Sequence, residues 1–484
     1  MTILDLKLDR SRPEAAYRQI YRSLREAILS GALPSGTRLP AGRRLADEAN
    51  VARITVSRAY DQLAAEGLVE RRAGSGTFVS GELPKDEAIS GHNKPARFNP
   101  ELTDWGRQVL SLASATDRGV EGSRLDIDFG FGRSFAERFP YAIWRRLLGR
   151  YLSTDDAMLS RYGSAAGFYP LRSAISEYLV RARGVRCTAE NVVIISGAQQ
   201  ALDILSRLLL SPGDEVLMET PGYRDAFAVF RLHRARLTGL PVDEHGLPVH
   251  RIPARSRAKV VFVTPSHQFP KGGTMPVARR LALLQWARER GAIIVEDDYD
   301  GDLRYEGGSL ASLQGLDEDG RTIYLGTFSK VLFPALRLGY LVLPESLVAP
   351  FTKAKDLVDR GAPTLTQAAV ADFLAEGHFE RHLRRLRRLY GRKRAVLVGE
   401  LSSRLGNRVA FSPVAAGLHV MLFAEPQLDE SQLVRQAAAR GVRVYGGEPY
   451  HLERPAPPSV LLGFSGLDED EIVEGVRRLA EAWP

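Results

Sequence analysis

The sequence predicts two unlike domains: a small α+β head of three helices and a hairpin, then a large α/β body around a mostly parallel sheet. Three observations carry this. Apolar residues recur at helical spacing three times before residue 67, and a basic, glycine-broken β-rich stretch follows. From about residue 190, short Val- and Ile-rich runs alternate with helical patterns. Between them, over residues 81–123, the periodicity lapses.

The chain has 484 residues, 44% of them apolar and 26% charged. At roughly 100–200 residues per domain that is room for two or three globular units. No run approaches the ~18 apolar residues of a spanning helix, and MTILDLKLDRSRPE has no apolar core of a secretory leader. The single cysteine, Cys187, makes neither an internal disulfide nor a zinc cluster, which suits the cytoplasm. The net charge is +8, and residues 1–80 hold 13 Lys+Arg against 9 Asp+Glu, a net +4. That concentration hints at a polyanionic partner.

In the head, Ile20, Leu24 and Ile28 mark a helix over about Glu14–Ser30, ended by Gly31. A second runs over about Ala41–Ala49, with Leu45 and Ala46 inward. A third, about Arg53–Glu66, carries Val56, Ala59, Tyr60 and Leu63 in one stripe. Leu68–Arg72, a turn at Ala73–Gly76 and Thr77–Val79 then read as a β-hairpin. Three helices and a basic hairpin make a winged helix-turn-helix. Its third helix has the dimensions of a major-groove reader, with Arg53 and Thr55 toward base edges and Ser57 in the same DNA-facing set. Arg43, Arg44, Arg58, Arg71 and Arg72 are expected on phosphates. Gly74 and Gly76 are expected to let the wing approach the DNA backbone. The stretch Arg38–Val79 resembles the DNA-binding domain of GntR-type bacterial regulators, with departures at Ala52 and Ile54. Alanine at 52 removes the usual cap of the third helix, a loss of about 1 kcal/mol.

Residues 81–123 read as a linker, flexible in its first half, with one short helix near Trp105–Leu112. Beyond it, strands are expected at Val192–Ile195, Glu215–Glu219, Lys259–Thr264, Ala292–Glu296, Ile323–Thr327 and Leu338–Leu343.

Four segments on this α/β body (residues 124–484) carry chemistry. Ser196-Gly197-Ala198-Gln199 joins a strand to a helix and offers backbone N–H groups to a phosphate. Val295–Asp300 puts four acids at the carboxyl end of a strand, where open sheets bind ligands. Four acids suit a magnesium ion, but no GxxxxGK[ST] loop accompanies them, and no metal is expected. Thr327 and Lys330 follow an apolar strand, with Arg337 seven residues past the lysine. A half-buried lysine is a candidate nucleophilic amine, and an arginine fork suits a phosphate. Glu219–Tyr223 ends a strand with an aromatic ring.

In this order the segments resemble the pyridoxal-phosphate site of class I aminotransferases of fold type I, over residues 124–484. The resemblance implies that Lys330 forms an aldimine with the cofactor, that Asp297 pairs with its ring nitrogen, and that Tyr299 bonds its ring hydroxyl. Tyr223 would stack on the ring; Arg337, Thr327 and the backbone at Ala198 and Gln199 would hold the phosphate. Tyr162 matches a tyrosine that such dimers lend to the neighbouring subunit. Head and body together resemble MocR-type regulators, a GntR reader fused to an aminotransferase-like sensor. Phe269 and Lys271 stand where the enzymes have Asn and Thr in Asn-Pro-Thr-Gly. Leu461 stands where they have the arginine that clamps the substrate α-carboxylate, and Asp225 where a GABA-responsive relative has a second one. Losing such a charge-assisted pair typically costs ~2–5 kcal/mol.

The resemblance therefore implies a homodimeric, operator-binding regulator whose principal effector is pyridoxal phosphate, like the vitamin-B6 (PdxR-type) members. Two alternatives stay open: the same architecture sensing an amino compound such as GABA, taurine or a D-amino acid, or a working aminotransferase with a DNA-binding arm. His267 and Gln268 either touch the cofactor or satisfy loop hydrogen bonds. The arginine-rich run Arg381–Arg394 reads mostly as the solvated face of a helix, with contacts to bent DNA as the alternative.

Overall fold

The computed structural model describes residues 8–9, 11, 13–81, 101–112, 126–132, 138–153, 160–308, 310–411 and 415–484. They divide into two compact units, Met1–Glu101 and Leu102–Pro484. In the first, α1 (Ala16–Leu29), α2 (Gly42–Glu48) and α3 (Arg53–Ala65) turn Ile20, Leu24, Leu45, Val56 and Leu63 onto one core. Their N-cap residues are Ala15, Ala41 and Ala52, none of which makes a side-chain cap bond. β1 (Val69–Arg72) pairs antiparallel with β2 (Gly76–Val79), Val69 opposite Val79. Residues 37–39 run along the other edge of β2, with Val79 N donating to Thr37 O and Leu39 N to Thr77 O, each at 2.8 Å. That bridging segment beside the wing carries no apolar alternation in the sequence.

The linker expected over 81–123 is interrupted. Within it α4 (Asp104–Ser111), capped by Thr103 Oγ1, belongs to the second unit, and Gln108 Nε2 donates to Arg231 O at 3.2 Å. Amphipathic spacing of Trp105, Val109 and Leu110 makes this helix; docking removes it from the tether. Residues 82–100 and 113–125 lie outside those described.

The second unit continues through β3 (Ile127–Asp128), α5 (Tyr141–Leu152), α6 (Tyr169–Arg183), β4 (Val192–Ile195), α7 (Ala198–Leu209), β5 (Glu215–Thr220), α8 (Arg224–Leu232) and β6 (Arg236–Pro241). Next come β7 (Val260–Val263), α9 (Val277–Arg290), β8 (Ile293–Asp298), the one-turn α10 (Leu313–Leu316), β9 (Thr322–Thr327) and β10 (Gly339–Val342). Seven strands form one sheet in the order β4-β10-β9-β8-β7-β5-β6. β10 is antiparallel to both neighbours, and the other pairings are parallel. β4, β5, β7 and β10 are buried along their whole length, as strands covered on both faces must be. β6 was not among the expected strands. Its sequence RLTGLP is a half-exposed edge containing Gly239 and Pro241, without an apolar run.

α11 (Glu345–Asp359), α12 (Thr364–Ala375) and the 28-residue α13 (His378–Leu405) lead to a smaller lobe. It comprises β11 (Ala410–Phe411), β12 (His419–Phe423), α14 (Glu430–Ala439), β13 (Val442–Arg443), β14 (Tyr445–Gly446), β15 (Ser459–Gly463) and α15 (Glu469–Ala482). Its antiparallel sheet has the order β11-β12-β15-β14, while β13 pairs in parallel with β3. Because Gly463 N also donates to Phe129 O at 2.8 Å, residues 129–132 are held against this lobe, beside the carboxyl ends of the large sheet. No helix among the described residues is long and apolar enough to cross a membrane.

Candidate functional site

The head presents a cationic face. Arg43, Arg53 and Arg58 are exposed and have no acidic partner among the described residues, and Thr55 and Ser57 are half-buried on the same helix. Other expected phosphate contacts are engaged: Arg44 with Glu48, Arg71 with Asp61, and Arg72 with Glu70. These exposed pairs are weak, so a phosphate can replace the acid. The two wing glycines differ. Gly74 (φ +71°) has open space around it, whereas at Gly76 (φ +118°) a Cβ would lie 3.1 Å from Arg38 Nε. The absence of a side chain at Gly76 therefore also makes room for Arg38 within the fold. Ile54, 64% exposed in the first turn of α3, was noted only as a departure from the family pattern. It presents an apolar surface of the kind that meets thymine methyls.

In the body, the parallel strands β5, β8 and β9 place Tyr223, Asp297 and Lys330 at or just past their carboxyl ends. Of the four acids at the end of β8, three are committed. Glu296 accepts from Leu313 N and Gln314 N, each at 2.8 Å. Asp298 pairs with the buried Arg183 at 2.6 Å, and Asp300 lies 2.9 Å from His267 Nδ1. Asp297 remains: 7% exposed, with no hydrogen-bond partner among the described residues. Burial, helped by the Asp298 and Asp300 charges, pushes its carboxyl up to about 8, while Lys330 pulls it down. Lys330 Nζ sits over the Phe131 ring, 4.3 Å from its centroid. Gly132 makes that approach possible, since a Cβ there would lie 2.9 Å from Nζ.

A second group of expected residues meets at the start of α7. Arg337, in a left-handed conformation (φ 49°, ψ 46°), donates through Nη2 to Ser196 O at 2.8 Å. Gly197 (φ +114°) has no side chain to obstruct it; a Cβ would stand 2.9 Å from that Nη2. As N-cap, Gly197 also offers no side-chain acceptor, so the first-turn N–H groups at Ala198 and Gln199 face outward beside the guanidinium. The Gln199 side chain is used elsewhere, donating to Tyr223 Oη at 3.0 Å. Thr327 Oγ1 accepts from Ser329 N at 3.1 Å. Tyr162 is not brought to this cluster: its ring is 90% exposed beside Thr364 and Gln367.

Tyr299 Oη lies 2.9 Å from His267 Nδ1, which is shared with Asp300, so a ring hydroxyl would join an existing chain. The sequence offers His267 as a cofactor contact or a loop hydrogen-bonder, and Asp300 as one of four clustered acids, but not their pairing across two loops. The signal available was a histidine and an acid each following a buried strand. Gln268 is structural, donating to Pro221 O at 2.9 Å and Phe269 O at 2.7 Å.

The opposite wall is apolar. Leu461, fully buried on β15, stands opposite Met421 and Tyr445 in the sheet and packs with Phe269. Phe131, Tyr223, Tyr299 and Tyr450 close round Phe269, with ring centroids 5.0–6.0 Å from its own. Arg224 is held by its neighbour Asp225 at 3.3 Å.

A winged-helix DNA reader joined to a fold-type-I, aminotransferase-type unit defines the class of protein. Residues 16–79 match the family model for bacterial regulatory proteins of the gntR family, and residues 142–479 that for aminotransferases of class I and II. The chain belongs to the MocR-type transcriptional regulators of the GntR family. It is 38% identical to the probable rhizopine catabolism regulatory protein MocR of Rhizobium meliloti, over 99% of this chain and 96% of that one. With the pyridoxine biosynthesis transcriptional regulator PdxR of Corynebacterium glutamicum it shares 30% identity over 97% and 96%. The kynurenine aminotransferase of Pyrococcus horikoshii superposes with a TM-score of 0.73 at 30% identity, covering 78% of this chain and 96% of that one.

Membership implies DNA binding and pyridoxal phosphate as cofactor, and the residues present fit that group. A cationic ring nitrogen is the partner that the buried Asp297 carboxyl lacks. Arg337 and the α7 N-terminus form an anion seat, and Lys330 supplies the amine.

Proposed function

We propose that this regulator responds to pyridoxal phosphate itself, bound as a covalent adduct of Lys330, and thereby controls vitamin B6 supply. The observation that supports this is the contrast between the two walls of the site. The cofactor wall has an amine, a buried acid and an anion seat; the wall where a substrate carboxylate would lie has Leu461 among aromatic rings. Leucine neither neutralises nor forks a carboxylate, so amino-acid turnover is disfavoured. When bound, the cofactor supplies an aldehyde for the amine and a protonated ring that withdraws electrons. Asp297 holds the proton at the ring nitrogen, Tyr223 covers the ring face, and Tyr299 with His267 faces the ring oxygen. Thr327 and Arg337 hold the phosphate. The exposed Tyr162 fits a homodimer in which it reaches the partner's phosphate, as such sites require two subunits.

Capture alters DNA binding only if the two conformations of the protein differ in cofactor affinity. Operator affinity and footprint measured with and without pyridoxal phosphate test the reading; identical values remove this effector. A second reading has one observation in its favour. The Lys330 amine lies on an aromatic face, a place suited to an amine with an apolar substituent. A visible-spectrum change on adding amines, with no change in operator binding from the cofactor alone, would select it.

A further inference from the structure

The arginines of α13 fall into two classes that the sequence alone does not separate. At 3.6 residues per turn, Arg381, Arg384, Arg385, Arg388 and Arg392 fall within about 100° of arc. Phe379, Leu383, Leu386 and Tyr390 are buried on the opposite side. Toward its C-terminal half the helix neutralises its cations: Arg392 pairs with Glu469 at 3.2 Å, Arg394 with Glu306 at 2.6 Å and Arg404 with Glu400 at 2.6 Å. In the first three turns it does not. Arg384, Arg385 and Arg388 are exposed and have no acidic partner among the described residues; Arg388 Nε reaches only the Arg384 carbonyl, at 3.3 Å. Nearby acids are engaged, Glu380 with Arg181 at 2.7 Å and Glu177 with Ser173 at 3.1 Å. On α5, against which α12 packs, Arg145 is likewise exposed and has no acidic partner among the described residues. The stripe borders a groove of about 570 Å³ between α6, α12 and α13, rimmed by Arg181, Arg381 and Arg384.

A solvated helix gains from i,i+4 pairs and loses from like charges at that spacing. Arg381–Arg385 and Arg384–Arg388 are such like pairs, left uncompensated in a chain that already binds a polyanion through another unit. We propose that this face of the aminotransferase-type unit is a second DNA-backbone surface, engaging phosphates of operator DNA beyond the bases read by the winged helix. From Arg381 to Arg388 the uncompensated stripe spans roughly 10 Å at 1.5 Å per residue, long enough for on the order of three phosphates on one strand. It recognises charge and spacing, not sequence.

The test uses the full-length protein with two duplexes, one ending at the half-sites and one extended by about 20 base pairs, two helical turns, on each side. Wild type should bind the long duplex more tightly and with a steeper dependence of log K on log salt. The triple variant Arg384→Ala, Arg385→Ala, Arg388→Ala should lose about 0.9 slope unit per abandoned phosphate, roughly two to three in all. Its affinity for the long duplex should fall at least ten-fold, while that for the short duplex is unchanged. The triple lysine variant should keep the slope, since a point charge suffices. Pyridoxal-phosphate uptake, unaltered in both, reports an intact fold and separates this result from any failure of the effector reading. Equal wild-type affinity for both duplexes, or an unchanged slope in the alanine variant, overturns the proposal. So does loss of pyrophosphate binding by that variant with DNA binding intact, which would make the groove a small-anion site.

Discussion

Head and body are both electrostatically incomplete, with opposite signs and in opposite settings. Among the described residues, Arg43, Arg53 and Arg58 of the head are exposed without acidic partners, and the Asp297 carboxyl of the body is buried without a hydrogen-bond partner. Exposed cations cost little to leave unpaired, because water and salt screen them. A buried carboxylate costs much, and the protein meets this by raising its pKa instead of ionising it. The head can therefore wait for DNA at no expense to its fold, whereas the body is strained until a cationic ring arrives. This contrast predicts where substitutions will have large effects.

The largest effect is expected at the amine. Lys330→Ala should abolish borohydride-stable labelling by pyridoxal phosphate and weaken cofactor binding by a hundred-fold or more, about 3 kcal/mol. The visible spectrum and mass mapping of the reduced protein check it. Labelling that persists at another lysine would move the centre of the body away from Asp297 and break the comparison.

Asp297→Asn comes next and carries a pH signature. The folded carboxyl titrates near 8, against about 3.9 in an unfolded chain. Between those values the folded state keeps a proton that the unfolded state has released. The stability of the cofactor-free protein therefore falls as pH rises from about 4 and levels off above 8. Asparagine has no proton to lose. The cofactor-free variant should match wild type near pH 4 and exceed it at pH 8, by on the order of a few kcal/mol. With cofactor bound the order should reverse. Urea unfolding at the two pH values decides it, and a pH-independent difference would mean that burial of this acid is not what strains the body.

What was legible in the sequence follows the same division. Thr327, Lys330 and Arg337 lie within one contiguous segment, and Asp297 and Tyr299 within another, so the segments were legible locally, while the role of each residue came from the family resemblance. The His267–Asp300–Tyr299 chain and the Phe131 ring under Lys330 depend on which strands the sheet makes neighbours, information that no local window holds. The ion pair occupying Arg71 was equally out of reach, because Asp61 sits on a different element; those of Arg44 with Glu48, one helical turn on, and of Arg72 with Glu70 are local. At 461 the sequence showed a missing arginine, but not that Phe269, Met421 and Tyr445 fill its surroundings with apolar surface.

Gly197→Ala should act at a smaller scale and only on the body. Alanine is strained at φ +114°, and its Cβ would displace the Arg337 guanidinium. A loss of about 1–3 kcal/mol in stability is expected, with phosphate-bearing cofactor bound ten-fold or more weaker and pyridoxal, which lacks the phosphate, little affected. Equal weakening of both vitamers would show that the turn positions the ring and not the anion.

The smallest effect is expected in the head. Its three helices begin at Ala15, Ala41 and Ala52 without side-chain caps; among the described helices of the body four of twelve have one, from Thr103, Ser312, Asp429 and Asp468, the last within a capping box. Ala52 already has extended cap geometry (φ −67°, ψ 144°) and is exposed, so serine there meets no steric obstacle. Ala52→Ser should stabilise α3 by about 1 kcal/mol, slowing exchange of its amides roughly five-fold and leaving β4 amides unchanged. Operator affinity then distinguishes two states of the free head. If it rises in step, DNA orders a fraying recognition helix, and the missing cap lowers affinity as well as stability. Slower exchange at constant affinity would mean that the Arg53–Ile54 turn is already formed before DNA arrives. Should neither quantity move, the missing cap at Ala52 carries no energy, and what sets the head apart is its electrostatics.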